Sequence, residues 1–168
     1  MKYPFNQESL HKVLNSSIDI DSSLRNLVCE FLLRIKANKV DINQSYIEIN
    51  EQEKPYIEVK VFSKQSLITP IEIYMYNSDI EFSIGDAQAI ESFTVKTQRD
   101  RASLQKELSK WLEHRIKGVL FFKGENLFKT IYKYFDGVRF KPLYFEINFI
   151  QIFCTGRKEE KIYEPWIE

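Results

Sequence analysis

The chain has 168 residues, the length of one domain, and 24 Lys+Arg against 24 Asp+Glu leave it without net charge. That balance excludes a globally basic nucleic-acid binder and an acidic tail protein, and only 5 Gly and 5 Pro exclude collagen-like and low-complexity chains. With 13 Phe, 9 Tyr and 2 Trp, the sequence has the core formers that a disordered chain lacks.

Asn6 is placed to cap a short first helix, with Leu10, Val13 and Leu14 along one apolar edge. Residues 16–20 break it. Asp21 then caps a second helix, in which Leu24, Leu27, Val28, Phe31, Leu32 and Ile35 repeat at three-four spacing as far as Asn38 or Lys39. From there the period changes to two. Residues 45–51, 56–63, 71–76 and 80–84 alternate apolar and polar, which predicts a four-stranded antiparallel meander. Asn77-Ser78-Asp79 is a compact turn between the last two strands, and Ser92–Lys96 predicts a short fifth.

A helical pattern returns from about Arg99, with Leu104, Leu108, Trp111, Leu112 and Ile116 on one face. Gly118 and Gly124 predict a break, after which Leu127, Phe128, Ile131, Tyr132 and Phe135 resume the stripe up to Asp136-Gly137. Residues 143–154 alternate once more, and a turn at Thr155-Gly156-Arg157 leads to a last strand near Ile162-Tyr163. The expected fold is α+β, in a single domain over 1–168: N-terminal helices, an antiparallel β-meander, a long broken helix and a C-terminal β-hairpin.

Catalytic chemistry has little to build on. The two histidines, His11 and His114, belong to no metal-binding spacing, and the five glycines are isolated, so no phosphate loop is present. Asp19 and Asp21 read as a capped helix start. Cys29 and Cys154 lie too far apart for a metal motif and read as reduced, buried thiols. No apolar run approaches the roughly 18 residues of a membrane span. The first residues lack a signal-peptide stretch, so the expected compartment is the cytoplasm. The expectation is a protein that is not an enzyme, with no cofactor and no metal. A cleft holding His114 and an acid would be the place to look for one.

Charge is unevenly spread. Residues 44–95 hold three positive and nine negative side chains, whereas residues 96–141 hold twelve positive and five negative. Lys96, Arg99, Arg101, Lys106 and Lys110 form the best basic cluster, and Glu113/Lys117 and Glu125/Lys129 are spaced as helical ion pairs. Alternation places Ile47, Ile49, Ile57, Val59, Val61, Ile73 and Met75 on the core side of the meander. The other side carries Tyr46, Glu48, Asn50, Tyr56, Glu58, Lys60, Phe62, Glu72, Tyr74, Tyr76, Glu81 and Ser83. Tyrosine gives rigid contact area with a polar tip, and glutamate suits a basic partner. Phosphate would be repelled there.

A small cytosolic α+β protein with such a face resembles bacterial toxin-immunity proteins, the group that protects bacteria carrying polymorphic or contact-dependent growth-inhibition toxins. The residues that carry the resemblance are Tyr46, Glu48, Tyr56, Glu58, Glu72, Tyr74, Tyr76 and Glu81. It implies an antitoxin-like role: a cognate protein toxin, often a basic nuclease domain, bound tightly and blocked sterically, in some members by strand addition. The alternative is a nucleic-acid-associated accessory protein that uses the basic helices around 96–141. Nucleic acid at the acidic face and a membrane partner are not expected, and the same face or an open edge strand also suits a homodimer.

Overall fold

The computed structural model describes residues 1–65, 68–84, 90–143 and 156–167. Helix α1 spans Gln7–Asn15, and the Asn6 side chain accepts the Ser9 N–H at its start. Helix α2 spans Ser22–Leu33, where Asp21 accepts the N–H groups of Ser23 and Leu24. These side chains satisfy backbone donors that have no partner within the helix.

Six antiparallel strands follow one another in space in chain order: β1 Lys2–Pro4, β2 Tyr46–Asn50, β3 Tyr56–Val61, β4 Ile71–Tyr76, β5 Asp79–Ile84 and β6 Ile90–Thr94. The meander is therefore wider than the sequence predicts. The strand near Ser92–Lys96 exists as β6, and β1, three residues long and ending in proline, adds a sixth. The β4–β5 turn places Asn77 at φ 50°, a left-handed conformation that asparagine tolerates better than most residues.

Helix α3 covers Gln98–Leu112 and opens on a capping box between Thr97 and Asp100. It stops at Leu112, and the expected continuation of the broken helix is incorrect. Strands β7 Ile116–Lys123 and β8 Asn126–Phe135 form a hairpin that turns at Gly124, φ 64°. With β9 Phe140–Pro142 and β10 Arg157–Tyr163 they make a second antiparallel sheet, in the order β10-β7-β8-β9. Apolar residues of β7 occur on both of its faces, so neighbours such as Val119 and Leu120 are both buried and the period of two is hidden. Gly118 is a packing position: a Cβ there would stand 3.2 Å from the Tyr163 ring and 3.3 Å from the Tyr132 ring. The expected last strand is present as β10, but it pairs with β7. Cys154 and nearly all of the expected 143–154 strand lie outside the described residues.

The fold is α+β. The helices pack on the apolar face of the first sheet, and one cluster of buried side chains runs from Leu10 and Val28 through Ile57, Ile73 and Met75 to Leu104. Burying each such aliphatic side chain contributes roughly 1.5–3 kcal/mol. Trp111 joins the two sheets, with its ring centroid 5.9 Å from Phe82 of β5 and 5.9 Å from Tyr132 of β8, edge-on to both. The C-terminal segment closes this core. Trp166 is 1% exposed and donates its indole N–H to the Thr69 carbonyl at 2.8 Å. The Ile167 N–H reaches the Leu112 carbonyl at 2.8 Å, and Lys39 Nζ donates to the carbonyls of Pro165 and Trp166.

Candidate functional site

The face of the first sheet that points away from the core carries all eight expected residues: Tyr46, Glu48, Tyr56, Glu58, Glu72, Tyr74, Tyr76 and Glu81. Each is half-exposed except Glu72, which is exposed. Strand register brings them into rows. Lys2, Glu48, Glu58, Tyr74, Glu81 and Ser92 succeed one another across the six strands. The next row holds Tyr46, Lys60, Glu72 and Ser83.

Within this grid the tyrosines hold the glutamates. Tyr46 donates its hydroxyl to Glu58 Oε2 at 2.9 Å, Tyr56 donates to Glu48 Oε1 at 2.9 Å, and Tyr76 donates to Glu81 Oε1 at 3.3 Å. These are diagonal contacts between adjacent strands or across a hairpin, within reach of a long aromatic side chain. Tyr56 and Tyr74 stack with ring centroids 5.0 Å apart, and Tyr76 continues the ladder at 5.6 Å from Tyr74. Among the described residues, the Tyr74 hydroxyl makes no hydrogen bond.

The electrostatics follow from this packing. The Tyr56 phenol is held above its ordinary pKa chiefly by its hydrogen bond to Glu48. Partial desolvation comes first for Tyr46, Tyr74 and Tyr76, with neighbouring carboxylates adding to the rise. Lys60 lies 3.4 Å from Glu58 and 3.5 Å from Glu72. Burial alone would lower its pKa, but the two carboxylates outweigh that and raise it. Among the described residues of this face, four glutamates and Asp79, opposite Tyr76, thus meet two cations, Lys60 and Lys2, whose Nζ lies 3.3 Å above the Tyr46 ring. Over β4 the face dips into a cavity of about 110 Å³ lined by Glu58, Glu72, Tyr74, Glu81 and Ser83, with Ile73 and Phe82 at its floor.

Alternation alone could have promoted Lys60 and Ser83 to the site, since both share its parity. Lys2 gave no signal, because β1 is too short to alternate visibly.

The other candidates are dispersed. His114 follows the C-terminus of α3 and lies 5.7 Å from the Tyr134 ring. Its neighbour Glu113 accepts the Ser109 hydroxyl at 2.5 Å and pairs with Arg34 at 2.6 Å. Burial pushes that carboxyl up, but these two partners hold it below its ordinary value, so it is occupied as an ion-pair partner. Glu113 and Lys117, and Glu125 and Lys129, are not at helical spacing, since 116–135 is a hairpin; Lys117 pairs with Glu160 at 2.5 Å. Lys96, Arg99, Arg101 and Lys106 are exposed at and along α3, while Lys110 pairs with Glu107. Cys29 is buried, which pushes its thiol up to about 12. Among the described residues, no three His, Cys, Asp or Glu side chains are grouped to hold a metal, and no helix is long and apolar enough to cross a membrane. Set against protein-family models, curated proteins and solved structures, the chain matches none of them.

Proposed function

We propose that this protein is a binding module that neutralises a basic protein partner, as an immunity protein blocks its cognate bacterial toxin, and that it performs no chemistry of its own. The observation that carries this reading is the set of Glu48, Glu58 and Glu81, half-exposed carboxylates each fixed by a tyrosine hydroxyl. Fixed side chains lose little entropy on binding, and an acidic face with rigid aromatics speeds and orders encounter with a cationic surface. The place of action is the cytoplasm of the protected cell, and a nuclease is the toxin class whose basic active site such a face would cover.

The test is co-purification of the tagged protein with the product of the adjacent upstream gene, at low and high salt. A stoichiometric complex that silences a toxic activity is the expected result. A second reading rests on the exposed Lys96, Arg99, Arg101 and Lys106. Retention of nucleic acid at low salt and its loss at high salt, with no protein partner, would favour that reading and overturn the first. Concentration-dependent self-association through the same face would make the partner a second copy of this chain.

A further inference from the structure

The acidic face has a hollow over β4. Tyr74 stands on β4, with Glu58 directly opposite on β3 and Glu81 directly opposite on β5. One pleat further along β4, Glu72 faces Ser83. The cavity of about 110 Å³ lies between these residues. Its rim therefore carries three carboxylates, one aliphatic hydroxyl and the one face tyrosine whose own hydroxyl makes no hydrogen bond among the described residues. Among the described residues, Lys60 is the cation within 4.0 Å of this set, touching Glu58 and Glu72 but not Glu81. Tyr76 supplies Glu81 with a single neutral hydrogen bond. The cavity is thus left with more negative charge than its own residues balance.

We propose, on the basis of the docking role argued above, that the occupant of this face is an arginine-bearing segment of the partner protein, anchored by one guanidinium seated over β4 between Glu72 and Glu81 and against Tyr74. A planar guanidinium matches carboxylates in a fork and stacks on an aromatic ring, whereas an ammonium is a strongly hydrated point charge that loses more on entering a half-enclosed site. Phosphate and anionic lipid are excluded by the sign of the charge.

The experiment is an NMR titration of the full chain at low salt with N-acetyl-arginine amide, N-acetyl-lysine amide and N-acetyl-glutamine amide. The arginine probe is expected to give saturable amide shifts centred on Glu58, Glu72, Tyr74, Glu81 and Ser83. The lysine probe should bind at least about threefold more weakly and the glutamine probe should give no saturable shifts. Glu81→Gln should weaken arginine binding by about threefold or more, and Ser83→Trp, which fills the cavity, should abolish it. Equal binding of arginine and lysine, shifts scattered over all surface carboxylates, or no effect of Glu81→Gln would overturn the anchor. The cognate complex separates this failure from failure of the docking role. If Ser83→Trp leaves the complex intact while Glu48→Lys with Glu58→Lys breaks it, the anchor falls and the face stands. If neither set of changes weakens the complex, both fall.

Discussion

Glu48 and Glu58 stand directly opposite one another in the register of β2 and β3, two like charges on neighbouring strands, and each is held by a tyrosine of the other strand. Directly opposed like charges destabilise a sheet. The crossed hydroxyls of Tyr46 and Tyr56, with Lys60 at 3.4 Å from Glu58, offset part of the repulsion. Glu48→Gln keeps an acceptor for Tyr56 and deletes one charge. It is expected to raise stability by about 0.5 kcal/mol in urea denaturation, while slowing association with a basic partner. A variant that is less stable than the native protein would show that the pair is not repulsive in its setting.

The face as a whole makes a kinetic prediction. Replacing Glu48, Glu58, Glu72 and Glu81 together by lysine should slow association by at least about tenfold at low salt and flatten its salt dependence. Tyr74→Ala should instead raise the dissociation rate, at a cost of roughly 2 kcal/mol or more if the stacked ring is a hot spot. Surface plasmon resonance at two ionic strengths separates the two effects. Unchanged rates for a folded quadruple variant would remove electrostatics from the account.

The parts of this fold that were legible in the sequence are those that obey one period. Asn6 and Asp21 announce α1 and α2 because caps and three-four spacing agree. The meander is plain because one face is apolar and the other is not, and for the same reason the eight candidate residues could be named together. The β7–β8 hairpin was not legible. Leu127, Phe128, Ile131, Tyr132 and Phe135 fall at helical spacing by coincidence, since the hairpin sequence carries apolar residues at both parities. Strand β1 was hidden by its three-residue length, and with it Lys2. Trp166 gave no local sign of its role, because its partner Thr69 lies 97 positions away in the chain.

The misread hairpin carries its own test at Gly118. A methyl group there would press on the Tyr132 and Tyr163 rings, at 3.3 and 3.2 Å. Tyr132 is buried against Trp111, so it has little room to give. Gly118→Ala is expected to destabilise by about 1–3 kcal/mol, the usual effect of overpacking. Placed in a helix, the same substitution would instead stabilise by about 1 kcal/mol, since alanine is the better helix former. The sign of the change in denaturation midpoint decides between the two.

Strand β10 should respond to acid. Glu160 is held down to about 2, against an ordinary value of 4.5, first by Lys117 and then by Lys158. A carboxyl depressed in the folded state contributes stability above its unfolded value and loses it as pH falls through its folded one. The stability difference between the native protein and Glu160→Gln is therefore expected to be present at pH 7. It should shrink below about 4.5 and vanish near 2. Urea denaturation across that range measures it. A difference that persists below pH 2 would mean that Glu160 acts through packing instead of charge.

The C-terminal segment makes a prediction about stability. Trp166 fills the core and bonds Thr69, while Ile167 bonds the last residue of α3 and Lys39 donates to the carbonyls of Pro165 and Trp166. Trp166→Ala removes the ring and should destabilise by about 3–5 kcal/mol. Trp166→Phe keeps most of the volume but leaves the buried Thr69 carbonyl without its donor, at a cost of about 1–3 kcal/mol. Because the helices and this segment pack on the apolar face of the sheet, Trp166→Phe should leave the association rate of a basic partner unchanged. Denaturation and binding kinetics on the same variant check both halves. A Phe variant as stable as the native protein would show that the indole N–H contributes nothing beyond its ring. A slowed association would show that the anchor reaches through the sheet to the Tyr/Glu face.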